Sequence, residues 1–162
     1  VEEGQIGTIE LKGENIFRGY WGMEEKTKES FKDDGFFITG DLAKKDENGY
    51  FTIVGRDKDM IISGGLNVYP KEIEDVINEL PNITESAVFG VQHDDFGEAV
   101  VAAVVTTDDK NDGSQILDYT KDKIAKYKQP KKIIFMSNLP RNSMGKVQKN
   151  KLREDNKSLF KS

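Results

Sequence analysis

Cysteine is absent from the 162 residues, which excludes a disulfide framework and any thiolate metal site. Histidine occurs once, as His93, so a zinc site built on paired imidazoles is excluded as well. Long apolar runs are also missing. The longest, from Ala99 to Val105, is far short of the roughly 20 residues a membrane-spanning helix needs. No two glycines stand two apart, which rules out a Gly-x-Gly dinucleotide fingerprint, and none stand four apart, which rules out a Gly-x-Ser-x-Gly nucleophile elbow. Gly145-Lys146 looks like the end of a P-loop, but Val147 occupies the Ser/Thr position and Pro140 the first Gly. The chain also lacks an initiator Met, a basic start and an apolar signal core. Its opening, Val1-Glu2-Glu3-Gly4, reads as a start in mid-protein, and a cytoplasmic location is the expectation.

Charge is plentiful: 33% of residues are charged against 36% hydrophobic, the balance of a soluble globular chain. The net charge of −5 conceals an asymmetry. Residues 121–162 hold 13 Lys/Arg against 3 Asp/Glu, whereas residues 1–120 hold 11 against 26. That basic segment suits an anionic partner, the plainer alternative being a solvated lysine-rich surface. For nucleic acid the segment offers Tyr127 as the one aromatic platform before Phe135 and Phe160, and phosphate-bearing small molecules explain the charge equally well. Phosphate-bearing small molecules are the expected partners, with no nucleic acid and no membrane.

Alternation from Ile6 to Lys12, closed by Gly13, predicts a strand. Trp21 to Phe31 reads as a short helical or irregular stretch. Turn signals at Asp34-Gly35 and Asn48-Gly49 precede Phe36-Phe37-Ile38 and Tyr50–Val54, so the first 55 residues are expected to be mostly β. The charged run Gly55-Arg56-Asp57-Lys58-Asp59 marks a boundary, giving domains 1–57 and 58–162. Beyond it, Met60-Ile61-Ile62 predicts a short strand ending in Ser63-Gly64-Gly65. Pro70 then stands at the first position of a helix reaching Leu80, with Ile73, Val76, Ile77 and Leu80 on one face. Two apolar strands follow, Glu85–Val91 and Ala99–Thr106. Next comes a helix from an N-capping Ser114 to Tyr127, its apolar stripe Ile116, Leu117 and Ile124. Pro130 stops it. A strand over Lys132–Met136 and a short helix from Lys149 complete the pattern. The order β-α-β-β-α-β describes an α+β domain of about 100 residues.

Four segments occur in sequence: Thr39-Gly40-Asp41-Leu42, Gly55-Arg56-Asp57-Lys58-Asp59, Ser63-Gly64-Gly65-Leu66-Asn67-Val68-Tyr69-Pro70-Lys71-Glu72-Ile73-Glu74, and Pro140-Arg141-Asn142-Ser143-Met144-Gly145-Lys146-Val147. Together they resemble the later core motifs of the adenylate-forming superfamily of acyl-CoA synthetases, luciferases and peptide-synthetase adenylation domains. The finer resemblance is to malonyl-CoA synthetases, through Gly35–Asp41, Lys126–Lys131 and Met144–Asn150. It implies a β-rich end of a large AMP-binding domain followed by a small C-terminal lid domain. It also implies an AMP-forming ligase that uses ATP and CoA as substrates. The family's phosphate loop and its Tyr-Gly-x-Thr-Glu segment are not in the chain. The Mg²⁺ ligand and the acyl pocket are therefore expected in an upstream N-terminal domain, the chain's expected partner, and the chain alone is expected to be inactive.

By that resemblance Lys146 is the catalytic lysine, a cation bridging acyl carboxylate and phosphate. It is expected on a flexible Gly-Lys turn; read by position alone, it is one surface lysine among many. Asp41 is the ribose-binding carboxylate, with a turn or capping role as the alternative. Arg56 is a second ribose or phosphate contact, or else the partner of Asp57 or Asp59 in an ion pair. Lys58 is the hinge. Ser63, Gly64 and Gly65 line the path of the CoA pantetheine, the alternative being a plain tight turn. Phe96 lies near the CoA adenine unless it is simply core, and Lys131 lies near the CoA phosphates. Gln129 departs from an Arg of some relatives, and His93 reads as a strand-end residue. No metal site is expected within the chain. The acyl substrate expected is malonate or a close dicarboxylate, with a short- or medium-chain fatty acid or an aryl acid next. A non-catalytic module that binds CoA or nucleotide is the reading from another class.

Overall fold

The computed structural model describes residues 1–108 and 112–161. The chain separates into two compact units, Val1–Lys58 and Asp59–Ser162.

In the first unit β1 (Ile6–Leu11), β2 (Phe37–Lys45) and β3 (Phe51–Arg56) form an antiparallel sheet in that order, with α1 (Glu24–Ser30) inserted between β1 and β2. The Asn48-Gly49 signal is a turn whose backbone is tied down by Asp46. Its carboxylate accepts the N–H groups of Asn48 at 2.9 Å and Tyr50 at 2.8 Å. Phe17 meets the rings of Tyr20, Phe31 and Phe37 edge-on at 5.0, 5.6 and 5.0 Å, an arrangement the ring quadrupoles favour. Otherwise this unit buries little. Leu42 and Ala43 are its buried hydrophobic residues, while Tyr50, Phe51 and Ile53 are well exposed. A cleft of about 540 Å³, lined in part by Leu11, Phe36 and Phe51, opens on the sheet.

The second unit has a substantial core. Its strands are β4 (Ile61–Ser63), β5 (Leu66–Val68), β6 (Ile83–His93), β7 (Gly97–Thr106) and β8 (Lys132–Phe135). Its helices are α2 (Pro70–Ile77), α3 (Ser114–Lys121) and α4 (Lys149–Asp155). β6 and β7 pair antiparallel along nearly their whole length; the other edge of β7 takes β4 at Gly97 and, in parallel, β8 over Val101–Val104. Every residue from Ala99 to Val104 is fully buried. The unbroken apolar run marks a strand covered on both faces. One face packs Val88, Val100, Ala102 and Val104 against Ile73 and Ile77 of α2 and Ile116 of α3. The opposite face packs Phe89, Val91, Val101 and Ala103 against Leu152 of α4, with Val147, Leu159 and Phe160 beside them. Each such valine or isoleucine contributes about 1.5–3 kcal/mol by leaving water, so α2, α3 and α4 are held chiefly by their buried faces.

The α+β class holds, with differences in detail. The helix expected to reach Leu80 stops at Ile77, where Asn78 caps it by returning its N–H to Glu74 O at 2.9 Å. Leu66–Val68 is a strand, so the expected order lacks one β element. The third helix ends at Lys121, and Tyr127 belongs to a separate 3₁₀ turn over Lys126–Lys128. The helix ends where Lys123 and Ile124 both return their N–H groups to the Thr120 carbonyl, so Ile124 reaches the core by a turn. Ser114 is the first helical residue and not the cap. Gly113 holds the cap position at φ +86°, and Asp112 accepts the Ser114 N–H at 2.9 Å and its hydroxyl at 2.6 Å.

Candidate functional site

Lys146 lies near the end of a tight hairpin. Arg141 and Val147 form an antiparallel bridge, Gln148 N–H donates to Pro140 O at 2.8 Å, and Asn142 N–H donates to Lys146 O at 2.9 Å. Gly145 N–H closes the turn on Asn142 O at 2.9 Å, and Gly145 stands at φ +78°. This is a type I turn followed by a left-handed glycine, which carries Lys146 on a G1-type bulge. A Cβ at Gly145 meets no atom within 4 Å, so the glycine is required by conformation and not by space. The Asn142 side chain completes the wrap, accepting the N–H groups of Met144 at 3.0 Å and Lys146 at 2.9 Å. The expected flexible turn is thus a bonded one. Lys146 itself is exposed, and no hydrogen bond or ion pair engages its ammonium among the described residues.

Four of the residues expected at a CoA site come together. Ser63 and Leu66 pair across a two-residue turn in which Gly64 and Gly65 have φ of +58° and +78°, the type I′ requirement, so the tight-turn reading is correct as structure. At its tip a Cβ on either glycine meets nothing within 4 Å. Gly64 N–H donates to Phe96 O at 2.8 Å, and the Lys131 ammonium lies 5.1 Å from the centre of the Phe96 ring. Phe96 is 38% exposed, which excludes the core reading. A bare glycine turn, an accessible aromatic face and a cation thus occupy one surface, with Ser63 buried beneath it. Sequence reasoning missed what supports that face. The His93 ring lies 4.8 Å from Phe96 and 5.1 Å from Phe160, and its Nδ1 accepts the Asp95 N–H at 3.2 Å. No motif covers residue 160, so no signal pointed to it.

In the first unit Asp41 and Arg56 are direct cross-strand partners on β2 and β3. Arg56 Nε donates to Asp41 Oδ1 at 2.8 Å and its terminal nitrogen donates to Thr39 O at 3.0 Å. Thr39 organises the strand end, donating its hydroxyl to Ile9 O at 2.8 Å and accepting the Asp41 N–H at 3.0 Å. The carboxylate keeps acceptor capacity for a vicinal diol while the guanidinium holds it in place. Arg56 thus pairs with neither Asp57 nor Asp59. Asp59 instead takes Arg153 of α4 at 3.1 Å. Lys58, exposed in the 3₁₀ turn Asp57–Asp59, is the last residue of the first unit. Among the described residues no group of three His, Asp or Glu side chains could hold a metal, and no helix is long and apolar enough to cross a membrane.

Residues 72–146, from the first turn of α2 to the lysine of the hairpin, match the AMP-binding enzyme C-terminal domain. Over that stretch the chain carries the AMP-binding enzyme C-terminal domain. Its homologues are acyl-CoA ligases. It is 44% identical to the long-chain-fatty-acid–CoA ligase FadD13 of Mycobacterium tuberculosis, over 95% of this chain and 30% of that protein. The crystal structure of ATP-bound MatB from Rhodopseudomonas palustris is 57% identical with a TM-score of 0.92, over 99% of this chain and 32% of that one. The o-succinylbenzoate CoA synthetase MenE of Bacillus subtilis, with its acyl-adenylate intermediate, is 35% identical with a TM-score of 0.88, over 94% of this chain and 31% of that one. The chain spans under a third of the length of each. The Lys146 hairpin stands at the end of the matched region.

Proposed function

We propose that the chain is the C-terminal part of an ATP-dependent acyl-CoA ligase of the cytoplasm. In this reading 1–57 is the end of a large AMP-binding domain and 58–162 is its lid, pivoting at Lys58. In the first half-reaction a carboxylate oxygen of the acid attacks the α-phosphorus of ATP. The bond to the bridging oxygen breaks and pyrophosphate leaves. Negative charge builds on the phosphoryl oxygens as this happens, and the Lys146 ammonium stabilises it more in the transition state than in the ground state. In the second half-reaction the CoA thiol loses its proton to solvent, its sulfur attacks the acyl carbonyl carbon, and AMP leaves. Asp41 and Arg56 hold the ribose in both steps. Ser63, Gly64 and Gly65 guide the pantetheine, Phe96 stacks on the adenine, and Lys131 faces the CoA phosphates. Mg²⁺ belongs to the upstream portion of the enzyme.

The observation that carries this reading is the presentation of Lys146: an ammonium without a partner among the described residues, on a bonded hairpin. Such a cation meets a developing charge without reorganising. Replacing Lys146 by Ala in the full-length enzyme is expected to lower adenylation on the order of 10²-fold or more, while thioester formation from supplied acyl-adenylate survives. Equal loss in both half-reactions refutes this division of labour.

For the acid we propose malonate or a close dicarboxylate. Its support is the malonyl-CoA synthetase resemblance at Gly35–Asp41, Lys126–Lys131 and Met144–Asn150, together with 57% identity to MatB against 44% to FadD13. Trapping acyl-adenylates with hydroxylamine across a panel of malonate, short fatty and aryl acids tests this choice. A preference for an apolar acid rejects it.

A further inference from the structure

The hairpin bearing Lys146 is fastened to the edge strand β6 on both sides, by residues outside the matching motifs as well as within them. On its first strand, Arg141 forks. One terminal nitrogen donates to the Gly145 carbonyl at 2.7 Å, and the other pairs with the carboxylate of Glu85, 56 positions away on β6. Just past its second strand, Lys149 pairs at 2.6 Å with Glu74 of α2, both side chains being largely buried. The same Glu74 carboxylate accepts the Val88 N–H of β6 at 2.7 Å. Between the two fastenings Val147, partly buried, packs against the core cluster that includes Phe89.

We propose that Arg141, tethered by Glu85, is a positioning residue for Lys146. The guanidinium fixes the Gly145 carbonyl and hence the peptide plane that leads into Lys146, so the backbone under the ammonium is immobile and only the side chain moves. A planar fork can hold the carboxylate and the carbonyl together; a lysine at 141 holds one or the other. This rests on the reading of Lys146 as the adenylation lysine, but its first measurement does not.

The experiment is ¹⁵N relaxation on this chain, wild type against Arg141→Ala, Arg141→Lys and Glu85→Gln, with β6 and β7 amides as the folding control. Backbone order parameters at Gly145 and Lys146 are expected to fall from about 0.85, the rigid value, to below about 0.6 in Arg141→Ala. They fall less in Arg141→Lys and least in Glu85→Gln, which keeps an acceptor for the fork. In the full-length enzyme the same series should lower the kcat of adenylation in that order, by roughly 10- to 100-fold for Arg141→Ala, since displacement of a catalytic group by about 1 Å has that cost. The KM for ATP and the thioester half-reaction stay unchanged. Unaltered order parameters in folded Arg141→Ala overturn the proposal, as does a loss confined to KM or shared equally by both half-reactions. If Arg141→Ala unfolds, the two conservative variants decide by the same readings. A Lys146→Ala enzyme that adenylates normally refutes the role of the lysine, while the relaxation result still decides the role of Arg141.

Discussion

At the scale of the residue, positions with a conformational requirement separate from those with a chemical one. Gly145 belongs to the first kind. An L-residue in the left-handed region costs roughly 1–2 kcal/mol, and no neighbour crowds a Cβ there. Gly145→Ala should therefore lower the unfolding free energy of this chain by about that amount, read from the denaturant midpoint, and Gly145→Asn by less because Asn tolerates the region better. Equal penalties for Ala and Asn would show that the turn had rearranged. On the proposed ribose role, Asp41 belongs to the second kind. Losing a charged acceptor for the ribose hydroxyls should raise the KM for ATP of the full-length enzyme on the order of 10- to 100-fold in Asp41→Asn. An unchanged KM rejects Asp41 as the ribose ligand. The proposed roles of Lys146, Asp41 and Arg56 rest on short local patterns, which a sequence displays directly. The Glu85–Arg141 pair and the His93–Phe160 contact were not legible there: each joins residues more than fifty positions apart, and nothing in the local pattern around either partner names the other.

At the scale of the element, periodicity reported what is buried and failed where an element is short. The run Ala99–Val105 announced an apolar strand, which the structure covers on both faces, and the spacing of Ile73 and Ile77 placed α2 on the core. Leu66–Val68 is three residues between a glycine pair and the Tyr69-Pro70 step, too few to show alternation, so β5 was invisible. The third helix was overextended because Ile116, Leu117 and Ile124 keep helical spacing although the helix ends before the last of them. Beside the buried faces that hold the helices, a polar clasp joins Glu79, two residues past the end of α2, to α3 and the turn that follows it. Glu79 accepts the Tyr119 hydroxyl at 2.7 Å and pairs with Lys123. The Lys123 ammonium and then the Tyr119 hydroxyl hold the Glu79 carboxyl below its ordinary 4.5. A carboxyl lowered by folding stabilises the fold above its unfolded value, and that contribution is lost as pH falls through the folded value. Wild type should therefore lose more stability than Glu79→Gln between neutral pH and pH values below 4.5. Parallel pH profiles of melting temperature in the two proteins exclude the clasp. Within the apolar face of α2, Ile73→Ala should cost about 2–5 kcal/mol as a cavity in a filled core, and Val76→Ala, only partly buried, distinctly less. Similar costs at both positions would contradict the packing described here.

At the scale of the whole molecule, the two units are unequally equipped to stand in water. The second has apolar side chains on both faces of its sheet, fully buried from Ala99 to Val104 of β7. The first has a three-stranded sheet with Tyr50, Phe51 and Ile53 exposed at 74, 66 and 57%, and an apolar cleft on its surface. A sheet of this size with an uncovered apolar side has little to set against its conformational entropy. Amide hydrogen exchange on the chain should accordingly divide in two. Amides of β6, β7 and α2 should exchange through global opening of the second unit, whereas those of β1 to β3 exchange through a lower-energy opening and are protected about 10²-fold or more less, a gap of roughly 3 kcal/mol. The peptide 59–162 made alone should keep the slow set unchanged. Under the ligase reading the same chain should release no AMP with malonate, ATP and CoA, and adding the upstream portion of the enzyme should both protect the β1–β3 amides and bring activity. Uniform protection across both units refutes the uncovered-sheet argument. Robust turnover by the chain alone refutes the assignment of the acyl pocket and phosphate loop to an upstream portion.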